Sequence, residues 1–303
     1  MRVTGRVALA AALAVGVCAA TLGAHEGASE VPDSPSAWDF LVLSGLAVMG
    51  TLYARGRRRC GCDARSRTKL APAAFWTGWF AMLVAVLPPL DRMAVERFSA
   101  HMLQHELLML VGAPLMIAGR PLATALLALP TTVRRAAAAR LRQPGIGGAW
   151  GLLISPVVAW ALHGLVIWLW HVPMLYEGAV HHEALHFVQH ATFVGTAVLF
   201  WSGLVYGRYG RAGYGASVFF VFTTLIHTGL LGAVFVLAPA PFYTVYAERT
   251  PDPVADQQIA GLVMWVPAGL VLTLTGIALF AAWLGDAERR ARHQRPLGSP
   301  PGG

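Results

Sequence analysis

The sequence predicts an all-α fold: a polytopic membrane helix bundle of about seven transmembrane helices after an N-terminal signal peptide. Three observations predict it. Of the 303 residues 13% are charged and 56% hydrophobic, where a soluble domain carries roughly 25% charge. That is too little charge to coat a globule of this size and too much apolar surface to hide in one core. Long apolar runs recur along the chain, each near the roughly 20 residues a helix needs to cross about 30 Å of hydrocarbon. The basic residues, all Arg except Lys69, gather on one side of those runs. An ordinary cytosolic enzyme, a disordered chain, a collagen and a disulfide scaffold are excluded at this step.

Arg2 and Arg6 precede an apolar run over 7–22, Ala24 supplies a small residue for cleavage, and His25-Glu26-Gly27 opens a polar stretch. This is the pattern of a signal peptide over 1–24, with an uncleaved signal anchor as the alternative. Val17 before Cys18 spoils a lipoprotein box. A membrane domain over 25–285 follows, with apolar segments at 37–54, 71–90, 98–119, 149–170, 184–206, 216–237 and 259–284. They are too long for the strands of an outer-membrane barrel. In lipid the backbone must satisfy its own polar groups, so they are helices. The tail over 286–303 is polar and Pro/Gly-rich at its end, and is expected to be disordered. Cys60-Gly61-Cys62 lies in the first loop; two thiolates without further ligands are a weak metal signal, and an ordinary reduced pair is the plainer reading.

The charges then orient the chain. Arg55, Arg57, Arg58, Arg59, Arg65, Arg67 and Lys69 fill the first loop, and Arg120, Arg134, Arg135, Arg140 and Arg142 the third. Arg208 and Arg211 sit in the fifth loop, and Arg289, Arg290, Arg292 and Arg295 in the tail. The opposite loops hold Arg92, Arg97 and Arg249. By the positive-inside rule the basic side is cytoplasmic, with the mature amino terminus outside and the carboxyl terminus inside. The net charge of +8 therefore reflects topology, and nucleic-acid binding loses its main support.

Most of the eleven histidines then fall at the outer face. His101 and His105 open the third span. His163 and His171 lie in the outer part of the fourth, His181 and His182 in the next loop, and His186 and His190 enter the fifth. His227 is near the middle of the sixth, and His293 is cytoplasmic. Imidazoles in lipid are costly and usually face a bundle interior, a metal or water. His101 and His105 are spaced i, i+4, and His182, His186 and His190 i, i+4, i+8, so each set shares a helix face. Two antiparallel helices could present these sets to each other at one depth. Met93, Met102, Met109 and Met174 lie nearby, and thioethers suit Cu(I). A single such His more often caps a loop or bonds a carbonyl; six at one depth point to a metal or cofactor. Glu106, an intramembrane carboxylate, is a functional candidate by default, although it projects about 100° away from His105.

His182-Glu183-Ala184-Leu185-His186 matches the H-E-x-x-H zinc-protease signature, which needs two ligands one turn apart, a Glu base and a third ligand. His190 is poorly placed as that ligand, about 12 Å along an unbroken helix from His182.

Three blocks of residues resemble a known family, the caa(3)-type cytochrome c oxidase assembly factors (CtaG). The first is His101-Met102-Leu103-Gln104-His105 with Ala113-Pro114-Leu115 and Gly119-Arg120-Pro121. The second is Trp170-His171-Val172-Pro173, Tyr176, His186-Phe187-Val188-Gln189-His190 and Phe200-Trp201. The third is Asp256-Gln257-Gln258-Ile259-Ala260-Gly261 and Met264-Trp265-Val266-Pro267. Gly229–Gly232 and Tyr243–Tyr246 match more weakly. The resemblance spans about 38–284. It implies a multi-pass, non-enzymatic membrane protein that helps mature a haem–copper oxidase, at a copper centre, in the bacterial plasma (inner) membrane.

The leading expectation is a copper site at the outer face formed by His101, His105, His186 and His190. His171, His182, His227, Met264, Glu106 and Asp256 are auxiliary candidates. The expected partners are haem–copper oxidase subunits, a periplasmic copper donor and the lipid bilayer. Copper favours imidazole and thioether donors. Four alternatives stand beside it. A haem-binding electron carrier would use facing His pairs. A copper permease would use His163, His227 and Met264 as a path. A structural scaffold would use the histidines for packing. The fourth is the H-E-x-x-H zinc protease.

Overall fold

The computed structural model describes residues 37–60, 70–140, 142–206 and 213–294. The proposed signal peptide, Lys69, Cys62 and the last nine residues lie outside them. The described residues form helices and no strand. Five helices are long and apolar enough to cross a membrane, and two bent pairs bring the number to seven if each pair is one span.

The first span is α1 (Ala37–Cys60), which runs past Ala54 into the arginines. The second is α2 (Leu70–Val86), followed after a 46° bend by α3 (Leu90–Glu96). Prolines at 88 and 89 remove two backbone donors there, so the helix cannot continue straight. The third span is α4 (Phe98–Glu106), a π-helical segment (Leu107–Gly112) and α5 (Ala113–Ala118). Two short helices, α6 (Pro121–Ala128) and α7 (Thr131–Arg140), then cover the arginine-rich end.

The fourth span is broken rather than continuous. It consists of α8 (Pro144–Leu153) and α9 (Pro156–Trp170), bent by 62°. Pro156 cannot sit in a helix interior, but it suits a first helical position. Ser155 caps the new start by accepting from the Val158 N–H at 3.4 Å. A short helix, α10 (Pro173–His181), leads into α11 (Glu183–Tyr206), the fifth span. The sixth is α12 (Gly213–Leu237), and α13 (Thr244–Ala247) is one turn in the following loop. The last helix, α14 (Pro253–Gln294), has 42 residues and extends through residues 286–294 of the expected tail. Asp286 with Arg289 and Arg290, and Glu288 with Arg292, form pairs one turn apart that support this extension.

Large apolar side chains on the outside of the bundle are exposed, among them Phe219, Ile226 and Leu230 on α12 and Val266, Leu270 and Ile277 on α14. A lipid-facing surface has this character. Two apolar clusters fill the inside. One gathers Tyr53, Phe75, Met116, Phe200 and Trp201 towards the arginine-rich end. The other gathers Phe98, Met102, Tyr176, Phe193, Phe235 and Tyr246 towards the histidine end.

The π segment has a local cause. The Ala113 N–H reaches back five residues to the Leu108 carbonyl. Pro114 follows and has no N–H, so the Met109 carbonyl lacks a helical donor. Trp201 on α11 supplies one, its Nε1 donating to that carbonyl at 2.9 Å. Trp201→Phe keeps most of the packing but leaves the carbonyl unpaired inside the bundle, which costs about 1–3 kcal/mol. The variant is expected to melt at a lower temperature than wild type in detergent, as followed by circular dichroism.

Candidate metal centre at the histidine end

The site is built by two helices in one register. His101 and His105 are the fourth and eighth residues of α4, and His186 and His190 the fourth and eighth of α11. The rings of His101 and His186 lie 5.4 Å apart, and those of His105 and His190 5.0 Å apart. Further along, the Met109 carbonyl meets Trp201 and the Ile117 carbonyl meets the Tyr206 hydroxyl. Both chains advance together, so the helices run parallel, not antiparallel as the spacing argument had it. The physical reason is topological: one intervening span separates the third from the fifth, and both enter from the same end.

Each helix start is fixed by something outside itself. Arg97, before α4, has an extended backbone and offers no side-chain cap. Asp256 of α14 takes that role. Its Oδ2 accepts from the backbone N–H of Phe98 at 2.7 Å and of Ser99 at 3.3 Å, and its Oδ1 accepts from the Ser99 hydroxyl. At α11 the residue outside is His182, with φ −126° and ψ 109°. Its carbonyl accepts the His186 N–H at 2.9 Å.

His101, His186 and His190 each offer a ligand atom, and these atoms all lie within 4.8 Å of one another. The Nε2 atoms of all three are buried without a hydrogen-bond partner. His105 packs against the group, 4.5 Å from His101 ring to ring, and both its nitrogens are unpartnered. His101 and His105 are 3% and 2% exposed.

The network around His101 fixes its tautomer. The Ala94 carbonyl at the end of α3 has lost its helical donor, because the Phe98 N–H goes to Asp256. The Tyr246 hydroxyl donates to Ala94 at 3.1 Å. Its proton thus committed, Tyr246 accepts from His101 Nδ1 at 3.0 Å and from the Tyr176 hydroxyl at 3.1 Å. His101 is therefore protonated on Nδ1, and its Nε2 carries a free lone pair. An imidazole oriented in this way by an outer partner is the usual state of a metal-binding histidine.

His171 shows the same pattern one ring away. Its Nδ1 donates to the Ile167 carbonyl at 2.7 Å, and Nε2 is buried and unpartnered. It faces Phe193, which stacks edge-on against His105 at 4.7 Å. Burial raises the pKa values of Tyr176, Tyr243 and Tyr246 above the ordinary phenol value, so all three remain protonated at neutral pH.

The other candidates lie elsewhere. His182 is exposed and outside the helical stripe, so the i, i+4, i+8 set shrinks to two, and H-E-x-x-H loses its first ligand from the group. Asp256 holds a helix end, as described, with both oxygens engaged. Met264 is 6% exposed within the aromatic cluster of Phe98 and Tyr246. His227 lies deeper, between α9 and α12, where its Nε2 would meet a side chain placed at Gly164 at 3.4 Å. Its neighbour His163 pairs through Nδ1 with Thr196 at 3.1 Å. Glu106 stands at the junction of α4 and the π segment, outside the group of three.

Tyr246, Tyr176 and Gln189 were not among the sequence-predicted site residues. Gln189 is fully buried, with its side-chain amide beside His101. Its place between His186 and His190 was the available signal for it.

A family model described as cytochrome c oxidase caa3 assembly factor (CtaG) matches residues 50–286. No curated protein and no solved structure matches the chain. With that match covering most of its length, the chain belongs to the cytochrome c oxidase caa3 assembly factor family.

Proposed function

We propose that this assembly factor takes up a copper ion as cargo at the outer membrane face and passes it to a haem–copper oxidase subunit. The observation that carries the reading is the convergence of His101, His186 and His190 with their Nε2 atoms unpartnered. Buried polar atoms are ordinarily satisfied, so such a cluster asks for a ligand. Imidazole is a good donor for copper, and the outer phenol holds His101 in the ligating tautomer. His105 and His171 back the group as neighbours.

The location follows from charge. The arginine-rich loops lie at the opposite ends of the spans, and the positive-inside rule makes that side cytoplasmic. The histidine end then faces the periplasm of a bacterial inner membrane, where a copper donor can load it. Three histidines leave room for an incoming ligand, so an acceptor subunit can engage the ion before the carrier lets go.

Copper in the purified full chain tests the reading. Wild type loaded with Cu(I) and passed over a desalting column is expected to retain about one equivalent. His101→Ala/His186→Ala should retain little, and His182→Ala should behave as wild type. Equal, negligible copper in wild type and the double variant would remove the metal-holding function. In cells, the double variant is expected to leave the oxidase depleted of copper.

A further inference from the structure

The candidate group is made of uncharged donors. No Cys, Asp or Glu among the described residues joins His101, His186 and His190. The nearby phenols are also neutral, on hydrogen-bonding grounds alone. Tyr246 donates to the Ala94 carbonyl and Tyr243 to the His171 carbonyl at 2.9 Å, and a phenolate could do neither. Asp256 is occupied by the amino-terminal N–H groups of α4 and by Ser99. The Asp39 carboxylate, in the first turn of α1, acts on His186 from outside the group of ligand atoms.

Resting on the reading of this group as a copper site, we infer that it selects a singly charged soft cation, Cu(I), over Cu(II) and Zn(II). Imidazole serves all three ions, so ligand type does not decide between them. Charge does. The cost of moving an ion from water into a low-dielectric interior grows as the square of its charge. Thiolate or carboxylate ligands would offset a second positive charge; three neutral imidazoles offset none. Zinc sites with three histidines keep a solvent ligand that ionises to reduce the charge. Here the ring contacts are Phe193, Tyr176, the Tyr246 hydroxyl and further imidazoles, with His101 buried and His186 and His190 partly buried, and none of these neighbours supplies a negative charge.

A redox titration of the copper-loaded full chain in detergent, following the Cu(II) paramagnetic signal, reads the preference directly. A hundredfold preference for Cu(I) over Cu(II) raises the midpoint by about 118 mV relative to copper in imidazole solution, at 59 mV per tenfold for one electron. That rise is expected, together with loss of Zn(II) on desalting under conditions that retain Cu(I). His186→Glu places a carboxylate in the group and is expected to lower the midpoint by the equivalent of at least tenfold. A wild-type midpoint at or below the reference, or Zn(II) retained as well as Cu(I), would overturn the selectivity while leaving a metal site in place. Failure to bind copper in either charge state would overturn the copper reading itself.

Discussion

Gly261→Ala is expected to reduce the amount of folded protein sharply, and Gly261→Leu to abolish it. Gly232 on α12 and Gly261 on α14 touch through their backbones. A Cβ on Gly261 would lie 2.6 Å from the Gly232 carbonyl oxygen and 2.8 Å from Val236, and a Cβ on Gly232 would lie 2.8 Å from the Gly261 carbonyl. Backbone cannot yield as a flexible side-chain end can, so the two helices must separate along their length. Overpacking of this kind costs about 1–3 kcal/mol or more, and without a hydrophobic drive between helices in lipid, close van der Waals contact is what holds them. Gly269, on the same helix, is the control. A Cβ there finds its nearest neighbour, Leu225, at 3.9 Å. Gly269→Ala is expected to be neutral or to stabilise by about 0.5–1 kcal/mol through helix propensity. Fluorescence-detected size exclusion of tagged protein from membranes separates the two outcomes.

Asp256→Ala is expected to damage both the fold and the site. It removes a carboxylate that accepts from two backbone N–H groups and a hydroxyl at the start of α4. Each buried donor left unpaired costs about 1–3 kcal/mol. Loosening that turn also loosens His101, the fourth residue of the helix. The expected result is a lower melting temperature together with reduced copper retention. Asp256→Asn keeps an acceptor oxygen and should recover most of the stability. Faster amide exchange at Phe98 and Ser99 in the Ala variant would locate the defect; unchanged exchange would argue against this account.

Legibility followed the range of the interactions. The spans were readable because membrane insertion depends on local apolar length: five of the seven segments fall on single spanning helices and two on bent helix pairs. The stripes His101/His105 and His186/His190 were readable because a helix repeats every 3.6 residues. The parallel course of their helices was also implied by counting spans, and the antiparallel expectation neglected that count. The break at Ser155–Pro156 had its signal in the proline, but the apolar run masked it. The capping of α4 by Asp256 and the phenol on His101 were not readable. They join residues 158 and 145 positions apart, and no local pattern reports such a pairing. For the same reason Asp256 read as a possible ligand: a carboxylate in a membrane helix looks alike whether it holds a metal or a helix end.

Because α4 and α11 run in parallel, both carry the imidazoles on their amino-terminal turns. The aligned peptide dipoles of a helix place roughly half a positive charge at that end. Asp256 neutralises this at α4. At α11 the first-turn carboxylate is Glu183, which is exposed, so water screens it and much of the field survives. A cation among the rings would meet a repulsion of roughly 0.3–1 kcal/mol from the α11 end, offset in part by Asp39, whose carboxylate acts on His186. A storage site would present helix carboxyl termini to its ion. Amino termini beside the rings would instead favour release, as the proposed hand-over of copper would require.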